Sequence, residues 1–72
     1  MGKGKIRNNI RRLRFDHGEM TQKQLAEKVG ASRQTIVAIE KAKYAPSLEL
    51  AFSIAHAFGK PIQEVFSYEP DE

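Results

Sequence analysis

Four consecutive polar residues, Ser32, Arg33, Gln34 and Thr35, open a segment whose apolar side chains recur at helical spacing. At an exposed helix start these residue types have a specific use. A guanidinium matches the two major-groove acceptors of guanine, a carboxamide matches the donor and acceptor of adenine, and the hydroxyls serve phosphates or thymine methyls. Other chemistry lacks support. There is no Cys, so no disulfide framework and no thiolate metal site are expected. His17 and His56 stand far apart with no paired carboxylates beside them. Both read as surface residues rather than metal ligands. No nucleophile, base and orienting group occur together, and there is no Gly-rich phosphate loop, so neither catalysis nor a bound cofactor or small molecule is expected.

Charge points the same way. Residues 1–45 carry eleven Lys and Arg against Asp16, Glu19, Glu27 and Glu40, a balance of +7, whereas residues 46–72 carry Lys60 against five carboxylates, a balance of −4. The basic half implies a polyanionic partner. The 72 residues make one domain, and folding at this size hides only roughly 60% of the unfolded surface. No apolar run approaches the roughly 20 residues that span a bilayer. The basic N-terminus leads into no apolar stretch of a secretory signal, so a cytoplasmic protein without a membrane partner is expected.

The elements that position the polar quartet follow from apolar spacing and capping signals. Ile6, Ile10 and Leu13 lie four and three apart and predict a first helix over Lys5–His17, closed by Gly18. Thr21-Gln22-Lys23-Gln24 is a capping box with Met20 as its hydrophobic staple. It opens a second helix over Gln22–Val29, with Leu25, Ala26 and Val29 inward and Gly30 at its end. Ser32 caps a third helix, Arg33–Lys41, with Ile36 and Ile39 inward. Ala42 to Pro46 break the pattern, and Ser47 caps a fourth helix whose inward residues are Leu48, Ala51, Ile54, Ala55 and Phe58. Gly59 ends it, and Pro61 starts a short fifth helix with Ile62, Val65 and Phe66. No lasting alternation predicts a strand. The ordered core is expected over residues 5–66, with 67–72 as a fraying acidic tail and residues 1–4 as a loose start.

The fold class is therefore all-α, five helices around one core. Two short helices joined by a tight Gly turn must cross steeply. Ala26 is small enough for the close contact, and Gly30 tolerates the positive φ of the turn. Leu25, Val29, Ala31, Ile36 and Ile39 face inward, which leaves Arg33, Gln34, Val37, Ala38 and Lys41 off the buried face.

These residues give the sequence its likeness. Leu13-Arg14, the Gly18 turn, Met20-Thr21-Gln22, Leu25-Ala26, Val29-Gly30, Ser32, Ile36, Ile39-Glu40, Pro46-Ser47-Leu48 and Ile54-Ala55 stand in one register. From Ile6 to Phe66 the chain resembles the Cro and phage-repressor type of helix-turn-helix family (the XRE family), and in particular its compact, lambda-repressor-like one-domain members. The turn Phe15 to Met20 is a residue longer than in some phage members, and Lys60-Pro61 stands where a small cap is more usual. The resemblance implies a sequence-specific transcriptional regulator, a repressor, that reads double-stranded DNA with its third helix. It implies base-reading roles for Ser32, Arg33, Gln34, Thr35 and Ala38, the last by apolar contact only. It places Thr21, Gln22, Lys41, Lys43 and Tyr44 at the DNA backbone, and makes Arg14 and Glu40 a partly buried ion pair. Ala26 and Gly30 are then structural.

Phe52, Val65, Phe66 and Tyr68 are more apolar surface than one small core is expected to bury. They either close the bundle over the first helix or form a dimer patch. The second is expected, because family members bind as homodimers to two half-sites about 34 Å apart. A rival function is an antitoxin-like protein-interaction module that also binds its own promoter, and the short tail argues against it.

Overall fold

The computed structural model describes residues 4–70 and contains β1 (Lys5–Asn8), α1 (Ile10–Asp16), α2 (Gln22–Val29), α3 (Arg33–Glu40), α4 (Leu48–Phe58), α5 (Ile62–Val65) and β2 (Phe66–Glu69). Residues 1–3 of the expected loose start, and Asp71 and Glu72 of the expected tail, lie outside the described residues.

Local signals account for the helix boundaries. Thr21 caps α2 in a reciprocal box: Gln24 N donates to Thr21 Oγ1 at 3.0 Å, and Thr21 N donates to Gln24 Oε1 at 2.9 Å. Ser32 and Ser47 accept from Thr35 N and Leu50 N, each at 3.1 Å, and so start α3 and α4. Such caps satisfy amides that have no partner inside the helix. The helices close over a core centred on Ile10, Leu25, Ile36, Ile39, Ile54 and Val65, all fully buried. Such a close-packed hydrocarbon core tolerates little loss of volume.

The two chain ends depart from the sequence reading. Lys5–Asn8 is a strand and not the first turn of a helix, and Phe66–Glu69 pairs with it antiparallel, with Ile6 opposite Tyr68 and Asn8 opposite Phe66. The expectation of an all-α chain thus holds only approximately, since a small two-stranded sheet joins the helical domain. The expected fraying of Ser67 to Glu69 is likewise corrected. Ile6, expected inward, is 40% exposed. Leu48 is another correction: it occupies the first position of α4 and is 71% exposed.

The reason lies in Asn8 and Asn9. Asn8 Oδ1 accepts from Ile10 N at 3.2 Å, which starts α1 at Ile10. Asn side chains compete in this way for local backbone groups. Asn8 Nδ2 donates to Ile39 O at 2.8 Å, and Asn9 Nδ2 donates to Glu64 O at 3.1 Å. Asn9 N also donates to Val65 O at 2.9 Å. One dipeptide therefore ties β1 to the ends of α3 and α5. Beyond it, Gly4 passes so close to Tyr68 that any Cβ there would collide with the phenol ring. At the other end of the bundle the His17 ring nitrogens meet Leu13 O at 2.9 Å and Phe58 O at 3.0 Å, so His17 is an exposed residue whose ring is nonetheless held.

Asn8→Ala is expected to lower stability by about 1–3 kcal/mol, because Ile39 O and Ile10 N each lose a side-chain partner. Urea unfolding followed by circular dichroism measures this, and an unchanged midpoint would show that Asn8 does not hold the strand to the bundle.

Candidate nucleic-acid interface

Three residues, Gly30 to Ser32, separate α2 from α3. Gly30 adopts φ 72° and ψ 31°, the left-handed conformation that glycine enters without steric cost. Ala31 N donates to Ala26 O at 3.0 Å and fixes the turn. Ala26 is buried where the two helices meet. With Ile36 and Ile39 in the core, the opposite side of α3 faces out.

On that side Arg33 and Gln34 are exposed, and neither enters a side-chain hydrogen bond or ion pair among the described residues. Ser32 is exposed but occupied, since its hydroxyl caps α3 and lies 2.9 Å from the Thr35 hydroxyl. Thr35 and Ala38 are half-buried. The five expected base-reading residues thus share the start and outer face of one helix, but only Arg33 and Gln34 offer long, unengaged polar groups.

Behind this face lies a charged cluster. Arg14 Nε donates to Glu40 Oε2 at 2.6 Å, Arg14 Nη2 to Glu40 Oε1 at 3.1 Å, and Arg14 Nη1 to Met20 O at 2.8 Å. The two side chains are only 15% and 9% exposed. Paired, bidentate geometry is what makes such burial tolerable. Gln22 Nε2 also donates to Glu40 Oε1, at 3.2 Å. The expected backbone-contacting residue Gln22 is therefore half-buried and oriented by the ion pair, and the second N–H of its amide has no partner among the described residues. Thr21, the other expected backbone residue on α2, is exposed and engaged in its capping box.

The loop after α3 is tightly wound. Lys43 N donates to Ala38 O at 3.0 Å and Ala42 N to Ile39 O at 2.9 Å, the paired bonds of a Schellman turn. Ala42 sits at φ 59°, a position where glycine would be less strained. Lys41, Lys43 and Tyr44 stand exposed around this turn.

The expected dimer patch needs correction. Val65 is fully buried and belongs to the core, and Phe66 is half-buried against it. Short α5 turns Val65 inward, and the strand pairing covers part of Phe66. Phe52 and Tyr68 remain exposed, at 54% and 61%. They do not share a depression: Phe52 borders Lys28, Glu49 and His56, whereas Tyr68 covers Gly4.

Two cations were missed in the sequence reading. Arg11 lines a depression with Gln22, Val37 and Lys41, and Lys5 lines another with Lys41, Lys43 and Tyr44. The excess of basic residues before Arg14 was the available signal, but spacing alone gave them no side. Among the described residues no group of three or more His, Cys, Asp or Glu is placed to hold a metal, and no helix is long and apolar enough to cross a membrane.

Two short helices joined by a three-residue turn, the second serine-capped and outward-facing with a partly buried ion pair behind it, form a helix-turn-helix module. Residues 10–65 match the helix-turn-helix family model, and the chain belongs to that family, of the Cro and phage-repressor type. A Methanocaldococcus jannaschii protein named as an uncharacterized HTH-type transcriptional regulator is 54% identical over 67 residues, which cover 93% of this chain and 100% of that one. An Archaeoglobus fulgidus protein of the same description is 48% identical over 67 residues, covering 93% and 94%. YgzD of Bacillus subtilis, also described as an uncharacterized HTH-type transcriptional regulator, is 42% identical over 66 residues, covering 92% and 98%.

Arg14→Met is expected to cost about 3–5 kcal/mol by leaving Glu40 buried without its partner, and Arg14→Met/Glu40→Met to recover most of that loss. Melting curves of the two single variants and the double variant test this. Additive losses would mean that the pair is not coupled.

Proposed function

We propose that this DNA-binding transcription regulator is a repressor that lays α3 in the major groove of a palindromic operator. The single observation that carries the reading is the state of Arg33 and Gln34: exposed, unengaged, and fixed at the capped start of α3. Arg33 takes guanine and Gln34 takes adenine. Ser32 and Thr35 contact the adjoining backbone or a thymine methyl, and Ala38 packs against a base. Gln22, steadied by Glu40, and the Thr21 end of α2 meet one phosphate strand; Lys41, Lys43 and Tyr44 meet the other. The description of the relatives as HTH-type transcriptional regulators supports the same reading.

The protein acts as a homodimer, with half-sites about 34 Å apart. Of the four residues of the expected patch, Phe52 and Tyr68 stay exposed and are the ones left to meet a second copy.

Fluorescence anisotropy against DNA selected from a random pool tests the reading. Arg33→Ala is expected to weaken operator binding by about 1–3 kcal/mol and relax preference at one base pair. Equal losses on operator and random DNA would remove Arg33 from base readout. Phe52→Glu/Tyr68→Glu is expected to sediment as a folded monomer, and a persistent dimer would place the interface elsewhere.

A further inference from the structure

Three of the arginines in β1 and α1 are neutralised by carboxylates. Arg7 pairs with Glu69 at 2.8 Å, Arg12 approaches Asp16 at 3.9 Å, and Arg14 is held by Glu40. Arg11 has no such partner among the described residues and is exposed. It opens onto the depression that it shares with Gln22, Val37 and Lys41. Two carboxylates border the same depression. Glu40 is already satisfied by Arg14 and Gln22, and Glu19 lies on the turn after α1.

Lys41 borders a second depression as well, between β1 and the loop after α3, together with Lys5, Lys43 and Tyr44. Among the described residues no Asp or Glu lines it. Lys5, Lys41 and Lys43 are exposed and have no ion-pair partner among the described residues. Because Lys41 belongs to both depressions, Arg11, Lys41, Lys43 and Lys5 form one cationic track. It wraps the C-terminal end of α3 and draws on α1, the loop after α3 and β1. The strand pair gives the track its fourth member, since it is the pairing with β2 that holds Lys5 beside the loop.

We infer that this track seats the sugar-phosphate backbone of the duplex beyond the base pairs that α3 reads, with Arg11 and Lys5 as phosphate contacts. The inference rests on the proposed function and deepens it. The sequence reading ends the backbone contacts at α2 and the loop; the track carries them onto β1 and α1. Cations without carboxylate partners, gathered along one edge of the recognition helix, match a line of phosphates in charge and extent, and each phosphate neutralised releases condensed counterions.

The test compares two double variants with the same change in net charge: Lys5→Gln/Arg11→Gln on the track, and Arg12→Gln/Lys60→Gln off it. All four positions are exposed, and circular dichroism melting checks that both variants fold. Binding to the selected operator is titrated with salt. The track variant is expected to lower the slope of log affinity against log salt by about 3.6, for two contacts on each of two protomers at roughly 0.9 per phosphate contact, and to leave the ranking of single-base operator variants unchanged. Hydroxyl-radical footprints are expected to shorten at the flanks only. The control is expected to keep the wild-type slope. Equal slopes in the two variants would overturn the track and leave the reading by α3 standing. If the unmodified protein selected no sequence, the proposed function and the track would fall together.

Discussion

At Gly30 the chain leaves α2 in the left-handed conformation and reaches the cap of α3 two residues later. Everything on the outer face of α3 follows from that turn. The constraint there is the positive φ and not space, since a side chain at Gly30 would meet no neighbouring atom, and the burial of Ile36 and Ile39 relies on the path that φ allows. Ala26 is the packing side of the same constraint, since its small side chain fills the contact that the turn imposes. A backbone conformation and a small side chain thus decide which residues are presented, before any of those residues acts.

The Arg14–Glu40 pair extends this order from backbone to charge. Its guanidinium holds a carboxylate on α3 and a carbonyl, Met20 O, at the entrance to α2. The same carboxylate orients Gln22. Buried ion pairs are weak evidence of net stability. Here the geometry gives the pair a positional role. It fixes α1 against both helices of the module and leaves one amide of the interface in a defined orientation. Stability and orientation are supplied by one set of bonds, so a change at Glu40 disturbs both.

Much of this was legible in the sequence. Thr21, Ser32 and Ser47 announce their helices because capping is local chemistry between residues three apart. Leu25, Ile36, Ile39, Ile54 and Phe58 announce the core because helical spacing exposes which face is apolar. The strands were not legible. Ile6, Ile10 and Leu13 satisfy a helical period, and nothing within a few residues of Ile6 reveals that its partner is Tyr68. The place of Val65 was hidden for the same reason, as its burial depends on elements remote in sequence. Leu48 fitted the period of α4, but a first-turn position lay beyond the edge of the core. The candidate interface was readable where it sits on a capped helix. The place of Lys5 was unreadable, since it is set by a pairing with β2 that the periodicity conceals.

The same strand pair bears on how the chain folds. Arg7 and Glu69 meet across 62 positions of sequence, and closing a loop of that length costs about 3–4 kcal/mol on a logarithmic chain-entropy scale. Two short strands return little before the helices are in place. The helices, built from contacts near in sequence, form quickly, whereas pairing between distant segments is intrinsically slow. On these grounds the sheet is expected to assemble after the helices and to open before them. Asn8 and Asn9, which follow β1 directly onto α3 and α5, make the paired strands a clasp on the module they border.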